Sequence, residues 1–145
     1  MQEQHWMVVH PPPELAEALS VLAEAVERFA AAESLSGGVS GKLNLVLDEL
    51  VTNSISYGLQ DVAEPHLELR LAGVGGRDVL EAVLEDNGPA FDPFSDAPVP
   101  DTTLALDERP IGGLGVMLVR ELTESAGYER IGGMNRITLR IKAGD

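Results

Sequence analysis

At 145 residues, 44% of them hydrophobic and 23% charged, the chain has the size and make-up of one soluble globular domain and not of a disordered segment. Ten Lys and Arg against 24 Asp and Glu give a formal net charge of −14, which argues against the basic face that direct nucleic-acid binding requires. No apolar run approaches the roughly 20 residues that span a bilayer, the opening Met1-Gln2-Glu3-Gln4-His5-Trp6 does not read as a signal peptide, and there is no cysteine; a cytoplasmic, membrane-free protein is expected.

Trp6-Met7-Val8-Val9 reads as a short first strand, ended by Pro11-Pro12-Pro13 ahead of a helix. From Glu14 to about Ala32, Leu15, Leu19, Leu22, Val26 and Phe29 recur at helical spacing, and Ser36-Gly37-Gly38 breaks the pattern. A second helix is expected from about Ser40 to Tyr57, with Leu43, Val46, Leu47, Leu50 and Ser54 as its core stripe and Gly58 as its end. The alternation of His66 to Leu71, a glycine-rich turn at Gly73–Gly76 and the apolar Val79 to Leu84 describe a hairpin. Asp92 to Pro110 is rich in proline and acidic residues and lacks periodicity, which fits a functional lid. A third helix follows from Gly112 to about Ala126, then a closing hairpin, Tyr128–Ile131 and Arg136–Ile141, turned at Gly132-Gly133. This order predicts a single α+β domain over residues 1–145, an α/β sandwich with helices on one face of a mixed, mainly antiparallel sheet and a lid at about 92–115.

Three segments carry candidate chemistry. On the second helix Glu49, Asn53 and Ser56 share a face turned away from the leucine stripe. A solvated polar face is the ordinary explanation. The alternative is a cleft wall in which the Asn53 amide oxygen, a hard ligand, holds Mg²⁺ and Glu49 polarises a hydroxyl aimed at a terminal phosphate. Asp86-Asn87-Gly88 suits a turn, yet Asp86 could also accept from the exocyclic amine of a purine, with Gly88 admitting the ring close to the backbone. Gly112, Gly113, Leu114 and Gly115 open a helix whose first N–H groups could receive phosphate; the lysine and spacing of a Walker loop are missing. In so acidic a chain, phosphates would be held by Mg²⁺ and backbone N–H groups rather than lysines. His5, His10 and His66 are scattered with no metal or triad spacing; Arg109 could reach a phosphate when the lid closes, but a plain surface arginine is the ordinary explanation.

In order, these segments resemble the nucleotide-binding boxes of the histidine-kinase-like (Bergerat, or GHKL) ATPases, and within them the RsbW-like anti-sigma-factor serine/threonine kinases. Asp48-Glu49-Leu50-Val51-Thr52-Asn53-Ser54-Ile55-Ser56-Tyr57-Gly58 is similar to the N box, Asp86-Asn87-Gly88-Pro89-Ala90-Phe91-Asp92-Pro93 to the first glycine box, and Gly112-Gly113-Leu114-Gly115 to the second. The resemblance implies a Bergerat fold that binds ATP with Mg²⁺, with Glu49 as general base, Asn53 as metal ligand and Asp86 as the adenine-specifying carboxylate. It also implies a homodimer that phosphorylates a serine on a small anti-sigma-factor antagonist-like protein and sequesters a sigma factor or other regulator. Ser56 stands where many sensor kinases carry a lysine, and Asn135 about where the superfamily often has a threonine near adenine. A nucleotide-dependent binding module of the same fold, without kinase activity, is the alternative.

Overall fold

The computed structural model describes residues 6–73, 78–96 and 113–143. The elements run β1 (Met7–Val9), α1 (Leu15–Glu33), α2 (Gly37–Asn53), a π-helical turn (Ser54–Leu59), β2 (Leu67–Gly73), β3 (Val79–Asp86), a short α3 (Pro93–Asp96), α4 (Gly113–Leu122), β4 (Ser125–Ile131) and β5 (Met134–Lys142). The five strands form one sheet in the order β1-β2-β3-β5-β4. Every pairing among the described residues is antiparallel, so the main character expected of the sheet accounts for all of it and no parallel pair accompanies it.

Period-2 alternation sorts the strands into two faces. Leu67, Leu69 and Leu71 of β2, Leu80, Ala82 and Leu84 of β3, and Ile137, Leu139 and Ile141 of β5 are buried toward the helices. The α2 stripe of Leu43, Val46, Leu47 and Leu50 meets them, each at most 1% exposed. At about 1.5–3 kcal/mol for each such side chain, this stripe is what holds α2 against the sheet. On α1 the buried set is Ala18, Leu22, Ala25, Val26 and Phe29, while Leu15 and Leu19 pack at its margin. The two alanines, both fully buried, were not anticipated.

Local signals set the helix starts. Glu14 caps α1 by accepting from the Ala16 and Glu17 N–H groups at 3.2 and 2.8 Å, and Ser36 Oγ caps α2 by accepting from Val39 N–H at 3.2 Å. The α2 cap lies earlier than the expected start near Ser40, because Ser36 supplies the acceptor ahead of two glycines. At the other end the helix does not stop at Gly58 but widens into the π turn through Leu59. β4 and β5 are joined at Gly132 and Gly133, with φ of 56° and 78°; positive φ at both central residues fits the twist of a tight hairpin.

On the sheet face away from the helices, Glu85 accepts from Arg70 and Arg136, each at 2.9 Å, and Arg136 continues to Glu129 at 3.4 Å. This chain of ion pairs crosses β2, β3, β5 and β4. It fixes the register one residue before Asp86, which alternation then turns to the helix side.

Candidate functional site

The end of β3 meets the end of α2. Leu50, Asn53, Ser54, Gly58, Asp86, Phe91, Pro93, Asn135 and Ile137 line one cavity. Thus Asn53 and Asp86, 33 positions apart in sequence, face a common space. That space is about 10 Å³, enough for one water and too small for a purine ring, so ligand binding requires its walls to part. A groove of about 300 Å³ lined by Ser56, Tyr57, Gly58 and Pro89 among others shares Gly58 with it. A larger hollow of about 440 Å³, between Pro13, Leu15 and the π turn, is lined by Ser56 but by none of Glu49, Asn53 and Asp86.

Asn53 is 2% exposed, and neither its amide oxygen nor its amide nitrogen has a hydrogen-bond partner among the described residues. Leaving such atoms unmade costs about 1–3 kcal/mol each, so a buried orphan amide points to a group that completes it. One turn earlier, Glu49 Oε1 is also buried and without a partner among the described residues. Burial, and then the neighbouring charge of Asp48, push the Glu49 carboxyl above its ordinary value of 4.5. Asp48 is itself raised by burial, and it accepts from Asn44 Nδ2 at 3.2 Å. A carboxyl held in this way is a better proton acceptor than a solvated one.

The glycine cluster reaches the same place. Gly113 is the first residue of α4, and a Cβ on Gly115 would overlap the Glu49 carboxylate. The start of α4 therefore lies directly on the Glu49 side chain of α2, and any side chain at position 115 would displace that carboxylate. Leu114 lies in the same first turn, and Gly112 falls outside the described residues, as do Arg109 and most of the expected lid.

The 86–91 segment is tied from several sides. Asp86 Oδ1 accepts from Gly88 N–H and from Asn135 Nδ2, both at 2.9 Å. Asn87 Nδ2 donates to Glu64 O at 2.9 Å and its Oδ1 accepts from His66 N–H at 2.7 Å, so the turn-forming asparagine latches the loop before β2. Arg130 donates to Gly88 O at 2.7 Å, and the Phe91 ring stacks on Tyr57 with centroids 5.4 Å apart. Gly88 itself rests on Gly58: a Cβ there would sit 2.7 Å from the Gly58 carbonyl oxygen and 2.9 Å from its carbon. Backbone on both sides cannot step aside. Gly88→Ala is therefore expected to lower the unfolding free energy by about 1–3 kcal/mol in urea titrations, a penalty of overpacking; unchanged stability would show that the two segments separate freely.

Sequence reasoning placed Glu49, Asn53 and Ser56 on one helix face but missed Tyr128, Arg130, and Asn135's contact with Asp86. The signal for the last was there: once β3 and β5 pair, Asp86 lies opposite Asn135.

The histidine kinase-like ATPase domain family matches residues 12–141. Over 116 residues the chain is 31% identical to the serine/threonine-protein kinase BtrW of Bordetella bronchiseptica, covering 79% of this chain and 78% of that protein. Among solved structures, the histidine kinase domain of the blue-light activated kinase from Erythrobacter litoralis EL346 is similar with a TM-score of 0.56 at 19% identity. That match covers 89% of this chain but only 61% of the other. The Acinetobacter baumannii histidine kinase AdeS matches with a TM-score of 0.50 at 16% identity, over 99% of this chain and 70% of that one. At these identities the two structures speak for the fold alone.

Proposed function

The chain belongs to the histidine kinase-like ATPase family, and from that premise we propose that it transfers the terminal phosphate of ATP to a serine or threonine of a partner protein. The observation that carries this is the sharing of one cavity by Asp86 and an Asn53 amide with no partner among the described residues, one helical turn from an equally orphaned Glu49 oxygen. Asp86 Oδ2, which no hydrogen bond occupies among the described residues, is the acceptor for the exocyclic amine of adenine. The free amide oxygen of Asn53 suits Mg²⁺, which takes hard oxygen ligands and keeps several waters. When bound, the ion would neutralise charge on the phosphates. The first turn of α4 offers backbone N–H groups to the same phosphates.

Glu49 takes the proton of the incoming hydroxyl as the seryl oxygen bonds to the terminal phosphorus and the bond to the bridging oxygen breaks, releasing ADP. BtrW, named a serine/threonine-protein kinase, supports the choice of acceptor. The wider reading is a partner-switching regulator, homodimeric and cytoplasmic. Its substrate is a small antagonist protein, and it holds a sigma factor or comparable regulator until that antagonist releases it.

Incubation with labelled ATP, Mg²⁺ and proteins captured from the source organism tests the reaction class. Acid-stable label on a serine or threonine of a second protein is expected. Acid-labile label on a histidine of this chain would instead make it a sensor-kinase catalytic domain.

A further inference from the structure

Between the hairpin β4–β5 and the 86–91 segment lies a polar cluster of which the proposed reaction uses only Asp86. Asn135 is 3% exposed and makes hydrogen bonds with both ends of its amide. Its Nδ2 donates to Asp86 Oδ1 and to Pro89 O, each at 2.9 Å, with Gly88 O at 3.4 Å. Its Oδ1 accepts from Tyr128 O–H at 2.6 Å and from Phe91 N–H at 3.2 Å. The orientation is set by the obligate partners, because a flipped amide would set its oxygen against three acceptors and its nitrogen against the Phe91 N–H. Neither a hydroxyl nor a carboxylate could do this. A hydroxyl has one proton to give, and a carboxylate has none for Asp86 or Pro89.

We infer that Asn135, braced by Tyr128, is the positioning residue that aims the Asp86 carboxylate and thereby sets the choice of base. The inference rests on the proposed nucleotide site. By occupying Oδ1, Asn135 and Gly88 N–H leave Oδ2 as the one carboxylate oxygen for a ligand. By holding Pro89 O and Phe91 N–H with the same amide, Asn135 also fixes the chain that leaves Asp86 toward α3. Base recognition and the position of that chain are therefore coupled through one side chain. Tyr128 reaches Asn135 through its hydroxyl from the edge strand β4, while its ring packs against the core, and that bond sets the rotation of the Asn135 amide.

The test compares ATP with inosine triphosphate, which carries a carbonyl oxygen where adenine carries its amine, in calorimetric titrations of the whole chain with Mg²⁺. A site built to accept a hydrogen bond rejects a ligand that cannot donate it, so wild type should favour ATP by about 100-fold or more. Tyr128→Phe should cut that ratio about threefold to tenfold, and Asn135→Ala about tenfold to 100-fold, as expected for hydrogen bonds to a charged group. Inosine triphosphate affinity should change little in either variant, which general loosening of the fold would not produce. Tyr128→Phe keeps the ring and loses one atom, so it reports even if Asn135→Ala fails to fold. A selective wild type whose ratio survives Tyr128→Phe and any folded Asn135→Ala overturns the positioning role while leaving the nucleotide site intact. A wild type that binds both triphosphates alike overturns base reading by Asp86, and with it the clamp. A wild type that binds neither overturns the nucleotide site itself.

Discussion

Replacing Glu49 with alanine is expected to leave ATP affinity within a few-fold of wild type while lowering phosphate transfer to the partner by about 10²–10⁴-fold, the usual loss with a general base. Affinity should survive because adenine and magnesium are assigned to Asp86 and Asn53, whereas Glu49 is needed only when a hydroxyl proton must be taken. The Glu49 carboxyl is held above its ordinary 4.5, first by burial and then by Asp48, so the wild-type rate should rise with pH through a value above the usual carboxylate range. Glu49→Gln should abolish that limb. The sign for stability is opposite. A carboxyl raised on folding contributes stability that is fully present below its unfolded pKa and is lost as pH rises through the folded one. Glu49→Gln should therefore flatten part of the decline in stability above pH 4.5, while Asp48 retains its own share. Single-turnover transfer with equal chemistry in Glu49→Ala would remove Glu49 as the general base, whereas wild type that binds ATP and transfers nothing would leave a nucleotide-gated binding module.

The parts of this site that were legible in sequence are those in which residue type and local period coincide. The leucine stripe of α2 fixes which face meets the sheet, so Glu49 and Asn53 had to lie on a flank. Gly132-Gly133 sits at the tip of its hairpin because few other pairs accept positive φ twice. Two features escaped for physical reasons. The π turn from Ser54 to Leu59 adds a residue per turn, which a 3.6-residue pattern registers only as a fading stripe; π segments gather at functional sites. Here it brings Gly58 beneath Gly88 and beside Asp86. β4 begins at Ser125, inside the expected third helix, because Ser125, Ala126 and Gly127 take strand conformation from pairing with Arg140, Leu139 and Thr138 and not from propensity of their own. Asn135 was seen in sequence, but its bonds depend on a register between distant strands. The expected lid between α3 and α4 falls outside the described residues.

Asn53→Leu should make the nucleotide-free protein more stable and nearly unable to use its nucleotide. The side chain is 2% exposed, with neither amide atom hydrogen-bonded among the described residues. Leucine keeps the branch at Cγ and replaces two desolvated polar atoms by methyl groups that prefer burial beside Leu50 and Ile137. Relief of unsatisfied polar groups is worth about 1–3 kcal/mol each, less the strain of the slightly larger side chain, so a net gain of about 1–2 kcal/mol is expected in urea unfolding without ligand. Affinity for ATP with Mg²⁺ should fall about 100-fold, whereas affinity for ADP in excess chelator should change far less, since the adenine contact stays with Asp86. Loss of stability in Asn53→Leu would mean that the amide serves the fold, and retention of the magnesium effect on ATP binding would move the metal to another ligand. A residue that costs the resting protein stability is what a binding site leaves when its contacts are completed only by ligand, and among the described residues Asn53 carries two of the four buried side-chain atoms without a partner.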